Sequence, residues 1–172
     1  MGLSKMIITA GKFKGRKISA PDEKITRPTL SKIRMAVFNT LQAMIDFNEA
    51  SFLDMFAGSG IMGLEALSRG FSDITAVEIN KSTFKILKEN YKVFKTDAKL
   101  ILGDSLKQNY KEHYDVVYID PPYFSGVYEQ SLSMLKDVNI IVLEHVKEVN
   151  IEPFSLIKQK QYGDKYISYL KL

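Results

Sequence analysis

From residue 51 onward the chain alternates short apolar runs with segments whose apolar positions recur every three or four residues. The runs at 52–56, 74–77, 100–102 and 114–119 predict buried strands, and the helical periodicity at 61–68 and 82–94 predicts helices between them. The helix at 82–94 is amphipathic: Phe84, Leu87, Tyr91 and Phe94 share one face, while Lys81, Lys85, Lys88, Lys92 and Lys95 form a stripe on another. Such a stripe reads first as a solvated face and second as an extension of a polyanion-binding surface. Beyond residue 119 the pattern gives a helix at 127–136, a strand at 139–143, and two β runs at 155–160 and 166–170 joined by a hairpin-like connection. Alternation of this kind implies an α/β fold around a mostly parallel sheet with right-handed crossovers.

Upstream, residues 6–10 and 17–20 read as the strands of a hairpin whose turn carries Gly11 and Gly15. A helix follows at 31–45, with Ile33, Val37, Leu41 and Met44 on one face. It is expected to pack on the sheet edge and carry the hairpin. The 172 residues read as one domain: a basic arm at 1–26, a leading helix at 27–47 and a catalytic body at 48–172.

Ligands of an open α/β sheet bind outside the carboxyl ends of its strands, so the residues there are the chemical candidates. Gly58, Gly60 and Gly63 form a G-x-G-x-x-G pattern between a strand and a helix, whose first turn offers unpaired N–H groups. Glu78 ends the next strand, where a carboxylate suits the two hydroxyls of a ribose. Asp104 ends the third and reads either as an acceptor for an adenine amine or as a helix N-cap. These features fit a nicotinamide dehydrogenase and an S-adenosylmethionine methyltransferase alike.

Asp120-Pro121-Pro122-Tyr123, at the end of the 114–119 strand, separates the two. The tetrapeptide has no role in hydride transfer. An exocyclic amine of a nucleobase is a poor nucleophile, because its lone pair is delocalised into the ring. It needs acceptors that hold both N–H groups and turn the nitrogen toward an electrophile. The Asp120 carboxylate and the Pro121 carbonyl can accept those bonds. Consecutive prolines stiffen the turn, and Tyr123 offers a face for base stacking. Taken alone, the same four residues also read as a strand-ending turn followed by a core aromatic.

Composition narrows the classes further. The chain has no cysteine, which excludes disulfides and thiolate metal sites and fits a reducing cytoplasm. His113 and His145 are far apart in sequence, so neither a metal site nor a Ser–His triad is expected. No apolar stretch is long enough to span a membrane. Charge is unevenly placed: residues 1–34 hold nine Lys or Arg against Asp22 and Glu23, whereas the remainder holds fifteen basic against eighteen acidic residues. A basic arm on a mildly acidic body is the footprint of a polyanion partner. Lys12, Phe13, Lys14 and Arg16 at the hairpin tip are candidates for phosphate contact and base stacking, with Phe13 tucked beneath an ordinary solvated tip as the alternative. Arg27 and Arg34 lie where arm meets body, either as surface charge and helix caps or as holders of substrate phosphates. The Gly11–Gly15 spacing is too short for a P-loop.

Four segments together resemble the bacterial small-subunit rRNA guanine-N2 methyltransferases: Ile8 to Gly11 with Gly15-Arg16; Arg27-Pro28-Thr29 with Arg34 and Phe38-Asn39; Asp54 to Gly70; and Asp120 to Tyr123. Tyr162-Gly163-Asp164 fits as well, and the likeness covers nearly the whole chain. Ser31 and Met35 depart from the family's acidic residues, and Lys165 from its Thr. The resemblance implies a Rossmann-like class I methyltransferase fold, with seven strands and an antiparallel last one. It implies S-adenosylmethionine as donor, S-adenosylhomocysteine as product, and no metal. It places Asp54, Phe56, Gly58, Gly60, Glu78, Ile79, Asp104 and Ser105 around the cofactor, and Asp120, Pro121, Pro122 and Tyr123 at the target base. Lys12, Phe13, Lys14, Arg16, Arg27, Thr29 and Arg34 would then meet 16S rRNA within the 30S subunit or an assembly intermediate, the protein acting as a cytoplasmic monomer. The rival readings are a DNA adenine-N6 methyltransferase, which usually needs an added recognition domain, a protein-glutamine methyltransferase, which usually has Asn at position 120, and a non-catalytic RNA-binding assembly factor.

Overall fold

The structure, a computed structural model, describes residues 2–21, 27–122 and 126–172, with the side chains of 27–30 outside that description. The arm is an antiparallel hairpin of β1 (Leu3–Ile7) and β2 (Lys17–Pro21), with Ile7 opposite Lys17. Its first strand stops before the expected residue 10 because Thr9 and Ala10 turn their N–H groups to the Glu65 carboxylate, at 2.9 and 3.1 Å.

Helix α1 (Arg27–Gln42) starts four residues earlier than the periodicity predicts. Pro28 is tolerated in its first turn, where an N–H would have no helical partner. At the other end the Ala43 and Met44 N–H groups bond to Thr40 and Leu41, tightening the last turn and ending the helix before residue 45.

The body follows as β3 (Ser51–Asp54), α2 (Ile61–Arg69), β4 (Asp73–Glu78), α3 (Lys81–Phe94), β5 (Lys99–Leu102), β6 (His113–Ile119), α4 (Val127–Ser133), β7 (Asp137–His145), β8 (Ser155–Tyr162) and β9 (Lys165–Lys171). The sheet order is β5-β4-β3-β6-β7-β9-β8. Strands β3 to β7 are parallel; β9 runs antiparallel between β7 and β8.

Alternate residues of each strand enter opposite core layers, as a period of two requires. Phe52, Ala76, Val116, Tyr118, Val142 and Ile167 pack with α1, α2 and α3. Leu53, Val77, Val117, Ile119, Leu143 and Leu170 pack with Tyr128 and Leu132 of α4. The central β6 is thus buried on both faces, which is why it reads as a continuous apolar run. The α1 helix covers a sheet face and not the expected edge, its Phe38 stacked on Phe52 at 5.8 Å. Among the described residues, no helix is long and apolar enough to cross a membrane, and no three His, Cys, Asp or Glu residues group as metal ligands.

Candidate active site

Parallel pairing brings the carboxyl ends of β3, β4, β5 and β6 to one edge, and with them Asp54, Glu78, Asp104 and Asp120. Asp54, Glu78 and Asp120 each follow by two residues a side chain of the α1–α3 layer (Phe52, Ala76 and Tyr118), so all three lean to that face.

Asp54 is 1% exposed, and neither of its carboxylate oxygens has a hydrogen-bond partner among the described residues. Burial raises its pKa to about 7; the Phe56 backbone N–H, close enough to moderate the rise but short of a hydrogen bond, opposes it, and the nearby Glu78 charge adds to it. An orphaned carboxylate in a wall of strand ends fits a cationic ligand, which would supply the missing partner.

Glu78 accepts the Gly58 N–H at 2.9 Å and the Asn80 N–H at 2.7 Å, so two backbone donors fix it at the strand end. A carboxylate has about four acceptor sites, leaving capacity for ribose hydroxyls. Asn80 also caps α3, accepting from Ser82 and Thr83. Ile79, beside it, is 67% exposed and forms an apolar rim. Two of the motif glycines answer to a neighbouring helix. A Cβ on Gly60 would lie 2.6 Å from the Tyr91 ring, and one on Gly63 2.1 Å from the Tyr91 hydroxyl. The motif therefore seats α3 against α2 as well as shaping the loop.

Asp104 caps the 3-10 turn Ser105–Lys107, accepting from the Leu106 N–H at 3.0 Å, with Lys107 3.7 Å from its other oxygen. The Ser105 hydroxyl donates to the Met55 carbonyl, which turns that side chain toward β3. Phe56 is half-buried, packed on the α4-side core. Past β6, Asp120 is half-buried, Pro121 buried and Pro122 exposed; Tyr123 lies outside the described residues.

The arm is locked to the body through a residue that sequence reasoning missed. The fully buried Glu65 of α2 accepts from the Thr9 and Ala10 N–H groups, from the Thr9 hydroxyl, from Arg34 at 3.1 Å and from Arg69 at 3.0 Å. Its sequence signals are an acid inside a largely apolar helical segment and an arginine one turn further on. Arg34 is corrected accordingly: it is 2% exposed, paired with Glu65, and donates to the Ile7 carbonyl at 2.7 Å, so it braces the arm from inside and does not face substrate phosphates.

Phe13 is half-buried, edge-on to Phe94 at 4.8 Å, with the Lys12 ammonium and the Arg16 guanidinium 5.0 and 5.3 Å from its centroid. Arg16 further donates to the Val93 carbonyl and lies 4.0 Å from the Phe94 centroid. Lys12 and Lys14 are exposed; the side chains of Arg27 and Thr29 lie outside the described residues. Asn90 bonds to Ser19 of β2 at 2.9 and 2.7 Å, so the arm docks on one flank of α3. At 100° per residue, the exposed lysine stripe of α3 lies on the opposite flank and does not continue the arm's surface.

Strand order, the antiparallel penultimate position of β9 and the acidic strand ends define a class I methyltransferase fold. The chain overlays on a solved Escherichia coli structure that bears a methyltransferase designation, with a TM-score of 0.84, 26% identity and 97% of each chain covered. A Haemophilus influenzae structure designated a methylase gives a TM-score of 0.79 at 29% identity, over 97% of this chain and 98% of that one. The family model described as conserved hypothetical protein 95 matches residues 6–171. Ribosomal RNA small subunit methyltransferase D of Buchnera aphidicola subsp. Acyrthosiphon pisum is 35% identical over 170 residues, covering 91% of this chain and 88% of the relative. The chain belongs to this family, as its motifs suggested.

Proposed function

We propose that the protein transfers a methyl group from S-adenosylmethionine to the exocyclic N2 amine of a guanine in 16S rRNA, releasing S-adenosylhomocysteine and a proton. The observation that carries this reading is the placement of Asp120 and Pro121 at the end of β6, on the same edge as Asp54 and Glu78. The rRNA substrate is supported by the name of the relatives, small subunit rRNA methyltransferase D.

The donor, when bound, supplies a methyl group on a sulfonium. Glu78 holds its ribose, Asp54 faces its positive charge, and Ile79 with Asp104 borders its adenine, while Gly58 and Gly60 shape the loop beneath it. The Asp120 carboxylate and the Pro121 carbonyl accept the two amine hydrogens, orient the nitrogen and stabilise its developing positive charge. Asp120 is the first acceptor for the proton that leaves. Tyr123 is assigned the stacking face, and the base reaches it unstacked from the RNA. Lys12 and Lys14, together with Arg27 and Thr29, contact the RNA backbone, whereas Arg16 and Phe13 chiefly fix the tip that presents them. In this reading the protein acts in the cytoplasm as a monomer, without a metal, on the 30S subunit or its precursor.

The test is labelled-methyl transfer to unmethylated 30S particles, protein-free 16S rRNA and duplex DNA in parallel, with nucleoside analysis. N2-methylguanosine in either RNA is expected. N6-methyladenine in the DNA would replace the substrate and keep the chemistry, and cofactor binding without transfer would favour an assembly factor.

A further inference from the structure

Three strands beyond Asp120 the sheet ends in β8, an edge strand that faces a groove. Strands β6 and β7 pair Ile119 with Leu143, so the next residues, Asp120 and Glu144, are lateral neighbours. Glu144 pairs in turn with Ile167 of β9, and Ile167 with Lys160 of β8. Lys160 therefore stands in the row of Asp120, three strand spacings or about 14 Å away. Directly opposed residues share a face of the sheet. Ile167 and Tyr169 pack in the layer of α1, so their partners Lys160 and Lys158 project over that same face. Between the two lysines and α1 runs a groove of about 520 Å³, lined on the helix side by Ala36, Asn39, Thr40 and Ala43.

The groove is basic. No acid lines it, and neither lysine has an ion-pair or hydrogen-bond partner among the described residues. Asn39 accepts from Arg69 with its carbonyl at 3.2 Å, which leaves its NH2 as a further donor. Lys158 is exposed and Lys160 half-buried. Side chains two residues apart on a strand are separated by about 6.8 Å, on the order of successive phosphates in a nucleic-acid strand. Lysine on an edge strand also discourages pairing with a second sheet. That use needs no groove, whereas the small Ala36 and Ala43 keep one open beside both side chains. Placement adds a second argument. The arm meets α1 through Arg34, which donates to the Ile7 carbonyl. At 100° per residue, Ala36 and Thr40 occupy the opposite flank of that helix. A base turned out of its stack leaves backbone running away on both sides, and the arm lies on only one of them.

We propose that the groove between α1 and β8 is a second contact for the substrate RNA, in which Lys158 and Lys160 hold consecutive phosphates of the strand that leaves the target base on the side away from the arm. This rests on the rRNA reading above. A phosphate backbone fits by charge, by the spacing of the two ammonium groups and by the row that Lys160 shares with Asp120. The contact is independent of sequence: it positions the strand and lowers KM, and it leaves the choice of base to the site. Neither lysine touches the reacting atoms.

The experiment measures binding of 16S rRNA and methyl transfer to it over a range of salt concentrations. Each phosphate contact contributes about 0.7–0.9 to the slope of log affinity against log salt. The double variant Lys158→Gln with Lys160→Gln should therefore flatten that slope by about 1.4–1.8 and weaken binding on the order of 10-fold at about 0.1 M salt. Its KM for RNA should rise by a similar factor, with kcat at saturating RNA, the Kd for S-adenosylmethionine and Tm unchanged. Lys158→Arg with Lys160→Arg should keep the wild-type slope. Ala43→Trp, which fills the groove and leaves the charge, should weaken RNA binding without flattening the slope. A photo-crosslinking residue at Asn39 should capture 16S rRNA, free or in 30S particles. An unchanged slope and affinity in the double Gln variant overturns the proposal, as does capture of a ribosomal protein or a second copy of the chain in place of RNA. Failure of the wild-type protein to bind 16S rRNA and form N2-methylguanosine in it would instead overturn the underlying reading, and the wild-type arm distinguishes the two.

Discussion

Gly11 and Ser68 meet so closely that a Cβ on Gly11 would lie 1.8 Å from the Ser68 carbonyl oxygen. That carbonyl belongs to the last turn of α2, where helical acceptors lack partners, and the Lys12 N–H bonds to it at 2.8 Å. The Ser68 hydroxyl completes the seam, accepting from the Phe13 N–H at 2.9 Å and donating to the Ala10 carbonyl at 2.6 Å. The obstacle is backbone and cannot rotate away, and Gly11 also has φ +80°. Gly11→Ala is expected to destabilise the docked arm by about 1–3 kcal/mol. Limited proteolysis should then cut the arm first, with S-adenosylmethionine binding retained and transfer to RNA reduced.

Glu65 takes charge from two arginines, and this sets an order among variants. Glu65→Gln leaves both Arg34 and Arg69 without their carboxylate, whereas Arg34→Met leaves Glu65 paired with Arg69. Breaking a buried pair costs about 3–5 kcal/mol. Chemical denaturation should show Glu65→Gln near the top of that range and Arg34→Met clearly below it. An equal loss in the two would mean that the arginines do not share the carboxylate.

What the sequence made legible follows from where the partners of each residue lie. The strand β6 and the glycine loop were readable because burial on both faces and a local motif are written in consecutive residues. The first half of β1 was hidden because its polarity is reversed: Leu3 is exposed and Ser4 buried. The opening turn of α1 was hidden because Arg27-Pro28-Thr29 has no apolar periodicity. Apart from Arg69, one turn on in the same helix, the partners of Glu65 lie 31 to 56 residues away, so only the folded chain shows most of what it binds.

Asp120 is expected to serve turnover and not cofactor binding, since Asp54 and Glu78 occupy the ends of β3 and β4, to one side of β6 in the sheet. Asp120→Ala should lower kcat by about 10²–10³-fold, the loss typical for one preorganised electrostatic partner of the reacting group. Isothermal calorimetry should give a Kd for S-adenosylmethionine within about threefold of wild type, well under the roughly tenfold change that 1.4 kcal/mol would make. A joint collapse of binding and turnover would move Asp120 to the cofactor side of the site.

Asp54 sets function against stability, and pH separates the two. Its carboxyl is buried without a hydrogen-bond partner among the described residues, and its pKa is raised to about 7 from the ordinary 3.8, chiefly by burial. The folded protein therefore holds a proton that the unfolded chain releases. Below about pH 4 both states keep it and nothing is lost; as pH rises to about 7 the folded state is progressively penalised, by about 1.4 kcal/mol for each unit of raised pKa. Asp54→Asn should consequently raise Tm relative to wild type at pH 8 and leave it little changed at pH 4. Cofactor binding should move the opposite way. A sulfonium ligand favours the ionised carboxylate, so wild-type affinity should fall by up to about tenfold per pH unit below 7. Asp54→Asn should bind weakly with a flat pH profile. Thermal shift and calorimetry across pH 5–8 measure both trends, and a wild-type affinity that does not change over that range would remove Asp54 from the cofactor's charge.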